Sequence, residues 1–524
     1  MNLSGNKVLS MMRACLSVVG ALLALNSQLA FAQTAKSAPG IAVQLWSIKD
    51  EVRADFKGSL KTVAQMGFEG VEFAGDYGPY KDDPQGLKRF LKSIGLKVAG
   101  AHVGAAQLSP TRYEETVKFM RALECPRLII SSDPRALKAD AVMDFAAELS
   151  DLSRRLAQVG MQIGFHNHSG EMQRVKSDEA ASFWDVIARN TPQEVVLQQD
   201  VGWTSVAGRD PVLMMQRYPG RTVSTHFKSK LLPGLASQGF RSLIGQDSIA
   251  WRDLVHAAMQ VGGTEWIVLE QEDYPEGMSP LQSVQASLQG LRQAIAELLG
   301  AKNEGVRVPG RADLVRGWQS MFDGASAQGW HRYGGAPPGK AWRFEAGEIN
   351  LDSTQKAGWQ SADGGDIVSD EQYGQFHLQL EWKIAQGGNS GIFLFVNEDA
   401  ARFPYAWNTG LEMQILDNAR HADGKIFQHR AGDLYDLQAA KMEAAKPPSE
   451  WNKVDIVVEA GELDFYLNGR HIVHRRLWDA AWEELIARSK FAAMPGFGRS
   501  QQGRIGLQDH GDTVSFRNIR IRKL

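Results

Sequence analysis

Four polar pairs at i, i+2 stand at the ends of apolar runs: His166 and His168, Gln198 and Asp200, His226 and Lys228, Glu270 and Glu272. Side chains two apart on a strand share a face, so four strands each offer two polar groups where a core would take Val or Leu. A parallel barrel builds its active site from such strand ends, at the C-terminal mouth. One histidine with several carboxylates suits a divalent cation, Mn, Mg, Co or Zn, which can polarise a sugar carbonyl or hydroxyl. Any one of these residues alone is more often structural; four strands in agreement favour a site.

A second constellation lies in LEMQILDN, where Glu412, Gln414 and Asp417 are spaced i, i+2, i+5. The first two share a strand face, and one bulge after Gln414 brings Asp417 onto it. Paired carboxylates flanking a glycosidic bond can act as acid and as nucleophile or base when their environments push their pKa values apart. The bland alternative is a solvated strand face. Against it stand Asn389, His429, Arg430, Tyr435, Trp451 and His510 in the same region, with Trp359, Trp382 and Trp407 as further flat apolar groups. Tryptophan faces suit a pyranose, although most of these rings are expected in the core.

The elements that must position these groups fall into two textures. Between Ile41 and Leu299 eight apolar runs alternate with helix-period segments: IAVQLWS, GVEFAG, KVAGAHVG, RLIISS, MQIGFHNH, VVLQQDVGW, VSTHFKS and WIVLEQE. Eight β-then-α units predict a closed (β/α)8 TIM barrel over 40–299. A polar, aperiodic stretch over 300–317 reads as a linker. Beyond it, over 318–524, short alternating strands such as FHLQLEWKI, GIFLFV and KVDIVVEA predict an all-β sandwich. Leu467-Asn468-Gly469-Arg470 is a hairpin turn signal within it.

At 524 residues, 43% hydrophobic and 23% charged, the chain is globular and too long for one core. Residues 1–32 read as a secretory signal: Lys7 and Arg13, an uncharged run from Ala14 to Leu25, then Ala30-Phe31-Ala32, with cleavage after Ala32. The mature protein is thus expected to be soluble, without a membrane span, and periplasmic or secreted. Cys15 starts the apolar run instead of following it, which argues against a lipid anchor. Cleavage removes two of the 58 basic residues and leaves 56 against 60 acidic, so no attraction to nucleic acid or anionic membrane follows. Cys125 then stands alone, which excludes an intrachain disulfide and a cysteine-zinc cluster and predicts a buried thiol.

In the first region, Leu45-Trp46-Ser47, Gly70-Val71-Glu72-Phe73, Phe165-His166-Asn167-His168 with Glu171, Asp200-Val201-Gly202-Trp203, the AGRDP from Ala207, His226-Phe227-Lys228 and Leu269-Glu270-Gln271 resemble the xylose-isomerase-like barrels of sugar phosphate isomerases and epimerases. By position the resemblance implies metal ligands Glu171, Asp200, His226 and Glu270, with His168 as the substitute should Glu171 point away. Glu72, His102, His168 and Lys228 are the expected substrate contacts. Ser229 and Gln198 depart from the family, which usually carries acidic residues there.

In the second region the match to the 3-keto-disaccharide hydrolase domain family runs from Met321-Phe322-Asp323-Gly324 through Tyr373-Gly374-Gln375-Phe376, GGNSGIF, LEMQILDN, HRAGDLYDL and Glu450-Trp451-Asn452 to IGLQDHG and VSFRNIRIRKL. Laminarinase-like glycosidases on the same kind of sandwich are an analogy for the spaced carboxylates. The resemblance implies cleavage of glycosides whose C3 hydroxyl has become a ketone. The ketone acidifies the C2 proton, a base removes it, the C1 substituent leaves, and water addition gives net hydrolysis. Glu412 and Asp417 are the base and acid candidates, His429, Arg430 and His510 their partners, and Asn389, Gln414, Tyr435 and Trp451 the substrate contacts. No dinucleotide fingerprint follows a strand, so no nucleotide cofactor is expected and a separate oxidoreductase must make the ketone. Oligomeric state is not legible. An alternative stays open, in which the barrel is the sole enzyme and the sandwich a carbohydrate-binding module.

Overall fold

The computed structural model describes residues 38–175, 178–300 and 311–524. The signal segment and most of the expected linker lie outside the described residues. In the first region eight short strands run β1 (Gly40–Gln44), β2 (Gly70–Phe73), β3 (Lys97–Val103), β4 (Arg127–Ile130), β5 (Gln162–His166), β6 (Val196–Gln198), β7 (Ser224–Lys228) and β8 (Trp266–Glu270). All are parallel, in the order β6-β5-β4-β3-β2-β1-β8-β7. The ring closes between β6 and β7: the Leu197 N–H donates to the Arg221 carbonyl at 2.8 Å and the His226 N–H to the Gln199 carbonyl at 2.9 Å. The barrel and sandwich readings are therefore both met.

Apolar side chains on the outward strand faces pack against the helices, with Phe73, Phe165, Phe227 and Trp184 fully buried there. Inside, the floor is closed by the Trp266 indole. Gly40 and Gly70 flank it, and a Cβ on either would stand 2.7 or 2.9 Å from the ring, so only glycine admits this plug. Ala42, Ala99 and Val268 pack with it. Above this small apolar layer the interior turns polar.

The second region is a two-sheet sandwich. Its strands are β9 (Trp330–Arg332), β10 (Trp342–Glu345), β11 (Glu348–Leu351), β12 (Ile367–Tyr373), β13 (Phe376–Ile384), β14 (Asn389–Val396), β15 (Leu411–Leu416), β16 (Asn452–Glu459), β17 (Glu462–Leu467), β18 (Arg470–Arg476), β19 (Gly503–Leu507) and β20 (Val514–Lys523). The larger sheet runs β10-β11-β20-β13-β16-β17-β18, with Gln319–Ser320 also paired to β20; the smaller runs β9-β12-β19-β14-β15. Asn468 and Gly469, at φ 51° and 77°, make the expected β17–β18 hairpin turn. Leu378, Leu380, Ile456 and Phe465 of one sheet meet Ile392, Met413, Ile415 and Leu507 of the other in a single core.

Alternation leaves His377, Asp455, Glu459, Asp464, Arg520 and Arg522 on the outer face of the larger sheet, and the barrel docks on that face. Helix α1 (Pro211–Arg217), started by the Asp210 cap and Pro211 at its first position, carries the main contact. Its Arg217 places one nitrogen 2.5 Å from Asp464 and another 3.4 Å from Asp185. Arg174 and Arg209 both pair with Glu459, and Arg522 lies 3.2 Å from Asp210. The second Asp464 oxygen is 2.7 Å from His471 and 2.9 Å from His474. Removing one partner of a buried pair leaves the other charge uncompensated. Arg217→Met should therefore lower stability by about 3 kcal/mol, read as an earlier midpoint in guanidinium denaturation; an unmoved midpoint would show that this seam contributes nothing.

Candidate active sites

The polar layer of the barrel is one connected network. Glu72 of β2 is fully buried and accepts from Gln44 at 2.8 Å and from Gln198 at 2.7 Å. Its Oε2 also lies 2.6 Å from His226 Nε2 and 3.2 Å from His102 Nε2. Burial works to raise the Glu72 carboxyl, but His102 and His226 outweigh it and hold it well below the usual range. His226 Nδ1 is 2.8 Å from Glu270 Oε2. Burial works to lower this imidazole, and the two flanking carboxylates reverse that and hold it up at about 10. Lys228 Nζ lies 3.4 Å from Asp200, 3.1 Å from Glu270 and 2.8 Å from Glu272.

The donor atoms of His166, Asp200, His226 and Glu270 lie within 4.8 Å of one another, and all four residues are buried. Three of the four expected ligands are thus together. Glu171 is not in the group: its carboxylate turns back to accept the His168 N–H at 2.7 Å, ordering the loop after β5. His166 takes its place, not His168, whose ring stands 5.0 Å from that of His166 towards Trp203. The set fits a divalent cation. Asp200 Oδ2 is a buried carboxylate oxygen with no hydrogen-bond partner among the described residues, its ion-pair contact with Lys228 at 3.4 Å aside, and Glu72, bonded to His226 Nε2, is the outer carboxylate that orients a ligating imidazole.

The two departures from the family pattern are accommodated. Gln198 donates to Glu72 and to Ser224 at 2.9 Å, while its Oε1 lies 2.7 Å from His102 and 3.1 Å from His166. An amide can donate and accept at once; a carboxylate there would face Glu72. Ser229 donates to the buried Asp247 at 2.5 Å, a structural bond under the barrel rim.

In the sandwich, Met413 and Ile415 enter the core, so Glu412 and Gln414 of β15 face outward from the smaller sheet. Glu412 lies over Gly391 of β14, where a Cβ would collide with its carboxylate. Burial pushes its carboxyl up to about 8, against the pull of Lys490 and with the charge of Asp366 adding to the rise. The Gln508 side chain works weakly to lower it. Asp366 stands on the same face, one residue before the core-facing Ile367, and burial raises it to about 7. Lys490 Nζ sits 3.9 Å over the Tyr435 ring, which meets His429 at 4.4 Å, and His429 Nε2 is 3.0 Å from Asp436. The side-chain oxygens of Asn389, Gln414 and Gln508 are buried and have no hydrogen-bond partner among the described residues. Trp359 contacts Tyr405 at 5.8 Å and His510 at 5.9 Å, and Tyr405 stacks on Trp407 at 5.2 Å.

Three expected residues sit differently. Asp417 follows the strand and caps its own turn, accepting from Gly387 at 2.8 Å and Ala419 at 3.2 Å and pairing with Arg420. Those bonds outweigh burial and hold its carboxyl below the usual range, so it stays ionised and cannot serve as the acid near neutral pH. Arg430 is likewise spent on the Gly424 carbonyl at 3.1 Å and the face of Phe427. Trp451 lies under Lys383 and Arg517, on the larger sheet's outer face and away from Glu412. Trp382 is core. Asp366, Lys490 and Gln508 were not read from the sequence, since none belongs to a periodic or spaced motif; the fold alone brings them to Glu412.

Two family models match the chain: a xylose isomerase-like TIM barrel over residues 60–294, and a 3-keto-alpha-glucoside-1,2-lyase-like domain over residues 317–522. A 3-keto-disaccharide hydrolase of Bacteroides thetaiotaomicron is 33% identical over 43% of this chain and 84% of its own length. An inosose dehydratase of Lacticaseibacillus casei is 25% identical over 43% of this chain and 85% of its own. Among solved structures, a sugar phosphate isomerase/epimerase from Parabacteroides distasonis aligns at 18% identity and a TM-score of 0.41, over 51% of this chain and 96% of that one. The chain belongs to the 3-keto-disaccharide hydrolase family and carries a xylose isomerase-like TIM barrel ahead of the domain that bears the likeness.

Proposed function

We propose that the chain cleaves glycosides oxidised at C3 in two consecutive steps, elimination at the Glu412 site and addition of water in the barrel. The observation that carries this reading is the Glu412 carboxyl itself, buried on an otherwise polar face and held at about 8. A general base works best with a pKa near the operating pH. In the first step Glu412 takes the C2 proton, the pair forms C2=C3 with the charge on the ketone oxygen, then returns to make C1=C2 as the C1–O bond breaks. The departing oxygen needs a proton, and Asp366, raised to about 7, is the acid on the same face. Asp366 replaces Asp417 in that role.

The product is an unsaturated 3-keto sugar, and adding hydrogen at C2 and hydroxyl at C1 completes the hydrolysis. The name of the barrel's relative, inosose dehydratase, describes the reverse class of step, loss of water beside a carbonyl. A divalent cation held by His166, Asp200, His226 and Glu270 would supply Lewis acidity at the sugar oxygens. Lys228 and His102 stand beside that cluster to orient hydroxyls and hold protons, Lys228 through its three carboxylate contacts and His102 through Glu72 and Gln198. The ketone itself must come from a separate oxidoreductase, and the N-terminal segment marks the chain for export, which the mature N-terminus at Gln33 would report.

Glu412→Gln keeps the shape of the side chain, so affinity for a 3-keto-glucoside should hold while turnover drops by about 10²-fold or more. Unchanged turnover would remove Glu412 from the chemistry. A wild-type chain that binds the glycoside but, with the barrel intact, never releases the aglycone would favour a binding module instead.

The same substitution has a stability signature. A carboxyl raised from 4.5 to about 8 on folding contributes stability fully below pH 4.5, and that contribution fades as pH rises through 8. Glu412→Gln should therefore unfold at a higher temperature than wild type at pH 8, with the gap closing towards pH 5. Parallel melting curves across that range would contradict the buried, protonated state.

For the barrel, the purified protein should carry close to one divalent ion per chain by elemental analysis, and His226→Ala should lose it while keeping its circular dichroism, because the apolar layers hold the fold. Metal-free wild type, indifferent to chelator, would contradict the assigned cluster.

A further inference from the structure

Beside Glu412 the outer face of the smaller sheet carries a row of aromatic rings. Phe393 is paired with Glu412 across β14 and β15, and Trp407 packs on the apolar cluster that holds Phe393. Tyr405 stacks on Trp407 with the two planes 8° apart, and it meets Trp359 edge to face. Trp359 and Tyr405 are 42% and 41% exposed, so much of both rings faces water instead of a core. The backbone does not call for the indole: Gly358-Trp359 is the two-residue turn between the paired segments Lys356–Ala357 and Gln360–Ser361, a position that turn chemistry fills with Gly, Asn or Asp. Contiguous exposed aromatic surface beside a polar centre marks a ligand-binding groove.

Both ends of the row are tied to Asp366. Asp366 Oδ1 accepts the Asp509 N–H at 3.0 Å, and the ring of the next residue, His510, lies 5.9 Å from Trp359. The Asp366 carbonyl accepts the Tyr333 N–H at 2.9 Å, and the Tyr333 hydroxyl donates to the Phe403 carbonyl at 2.7 Å, two residues before Tyr405. Glu412 has other neighbours on its far flank, where its carbonyl accepts the Tyr435 N–H and Lys490 lies over the Tyr435 ring. In the sheet Asp366 immediately precedes β12 and Glu412 lies on β15, with β19 and β14 between them. Asn389 opens β14, Gln414 lies on β15 and Gln508 follows β19, and their unpartnered oxygens suit the hydroxyls of one sugar held in that interval. The group lost from C1 then lies on the side of Asp366, where the aromatic row stands.

We propose that Trp359, Tyr405 and Trp407 form the leaving-group subsite, a platform for a ring with a flat apolar face attached at C1, either a second pyranose or an arene. The assignment rests on Asp366 as the acid that protonates the departing oxygen. Such rings stack on aromatic side chains, whereas the methyl group of a methyl glycoside has no face to lay on them. The row thus selects glycosides by the shape of what they lose.

Calorimetric titration of the full-length Glu412→Gln variant tests this, with methyl and phenyl glucosides of both anomers and with maltose and cellobiose, each oxidised at C3 of the non-reducing ring. At least one ring-bearing ligand should bind about 10-fold or more tightly than its methyl counterpart. A preference for the phenyl glucosides alone identifies an arene platform, and for the disaccharides alone a pyranose platform. Adding Trp359→Ala or Tyr405→Ala should bring the preferred ligand close to parity with the methyl glucoside. In the wild-type background the same substitutions should lower the ratio of kcat/KM for the ring-bearing over the methyl substrate about 10-fold. Both side chains are part exposed, and should one variant fail to fold the other decides. No preference in Glu412→Gln, a preference that survives both substitutions, or an equal loss of affinity for all ligands would each overturn the platform. Wild type that shows the binding preference yet cleaves no glycoside supports the platform and counts against elimination at Glu412.

Discussion

Burying a carboxylate costs more than any single hydrogen bond returns, and both candidate centres exist only because that cost is met locally. In the barrel it is met by charge. Glu72, Asp200 and Glu270 are interleaved with His226 and Lys228, and Gln198 joins acceptors to donors across the ring. Each member satisfies two or three others, so the layer stands or falls as a unit. In the sandwich the pull of Lys490 on Glu412 and of Arg332 on Asp366 does not offset burial, and both carboxyls keep their protons up to near-neutral pH. The same constraint thus yields two different sites: an ionised nest suited to a cation, and two carboxyls that titrate near neutral pH and so can both take and give protons.

Glycine makes room for both solutions. Gly100 of β3 faces Glu72, where a Cβ would stand 3.0 Å from the carboxylate oxygen, and Gly391 lies beneath Glu412. The plug at the barrel floor depends on Gly40 and Gly70 in the same way. These positions are invisible as chemistry, yet each decides whether a buried group can occupy its place.

The barrel was largely legible because its strands are short apolar runs that end in polar residues, a pattern that follows from a floor and a mouth of opposite character. Sandwich strands with clean alternation, such as β13 and β16, could be read for the same reason. Strands β9, β10, β11, β12 and β19 could not: the first three are only three or four residues long, and β12 and β19 are interrupted by Asp370 and Gly506. At the candidate sites, spacing pointed to Glu412 and to Asp200, His226 and Glu270, the last three of which the fold brings together. The expectations for Glu171, taken from the family resemblance, and for Asp417, taken from spacing, miss that both carboxylates serve nearby backbone N–H groups, a local use that neither position nor spacing separates from chemistry. His166 carried a strand-end signal of its own, whereas Asp366 and Lys490 reach Glu412 only through the three-dimensional fold.

The barrel occupies the outer face of the larger sheet, and Glu412 opens on the outer face of the smaller one, so the full thickness of the sandwich lies between that centre and the docking seam. Under the proposed division of labour, an unsaturated sugar leaving Glu412 enters the surrounding water before any barrel mouth can capture it. Fusion then acts as a tether that raises local concentration, not as a conduit. Escape of that intermediate to neighbouring enzymes, or its capture from them, is built into the architecture.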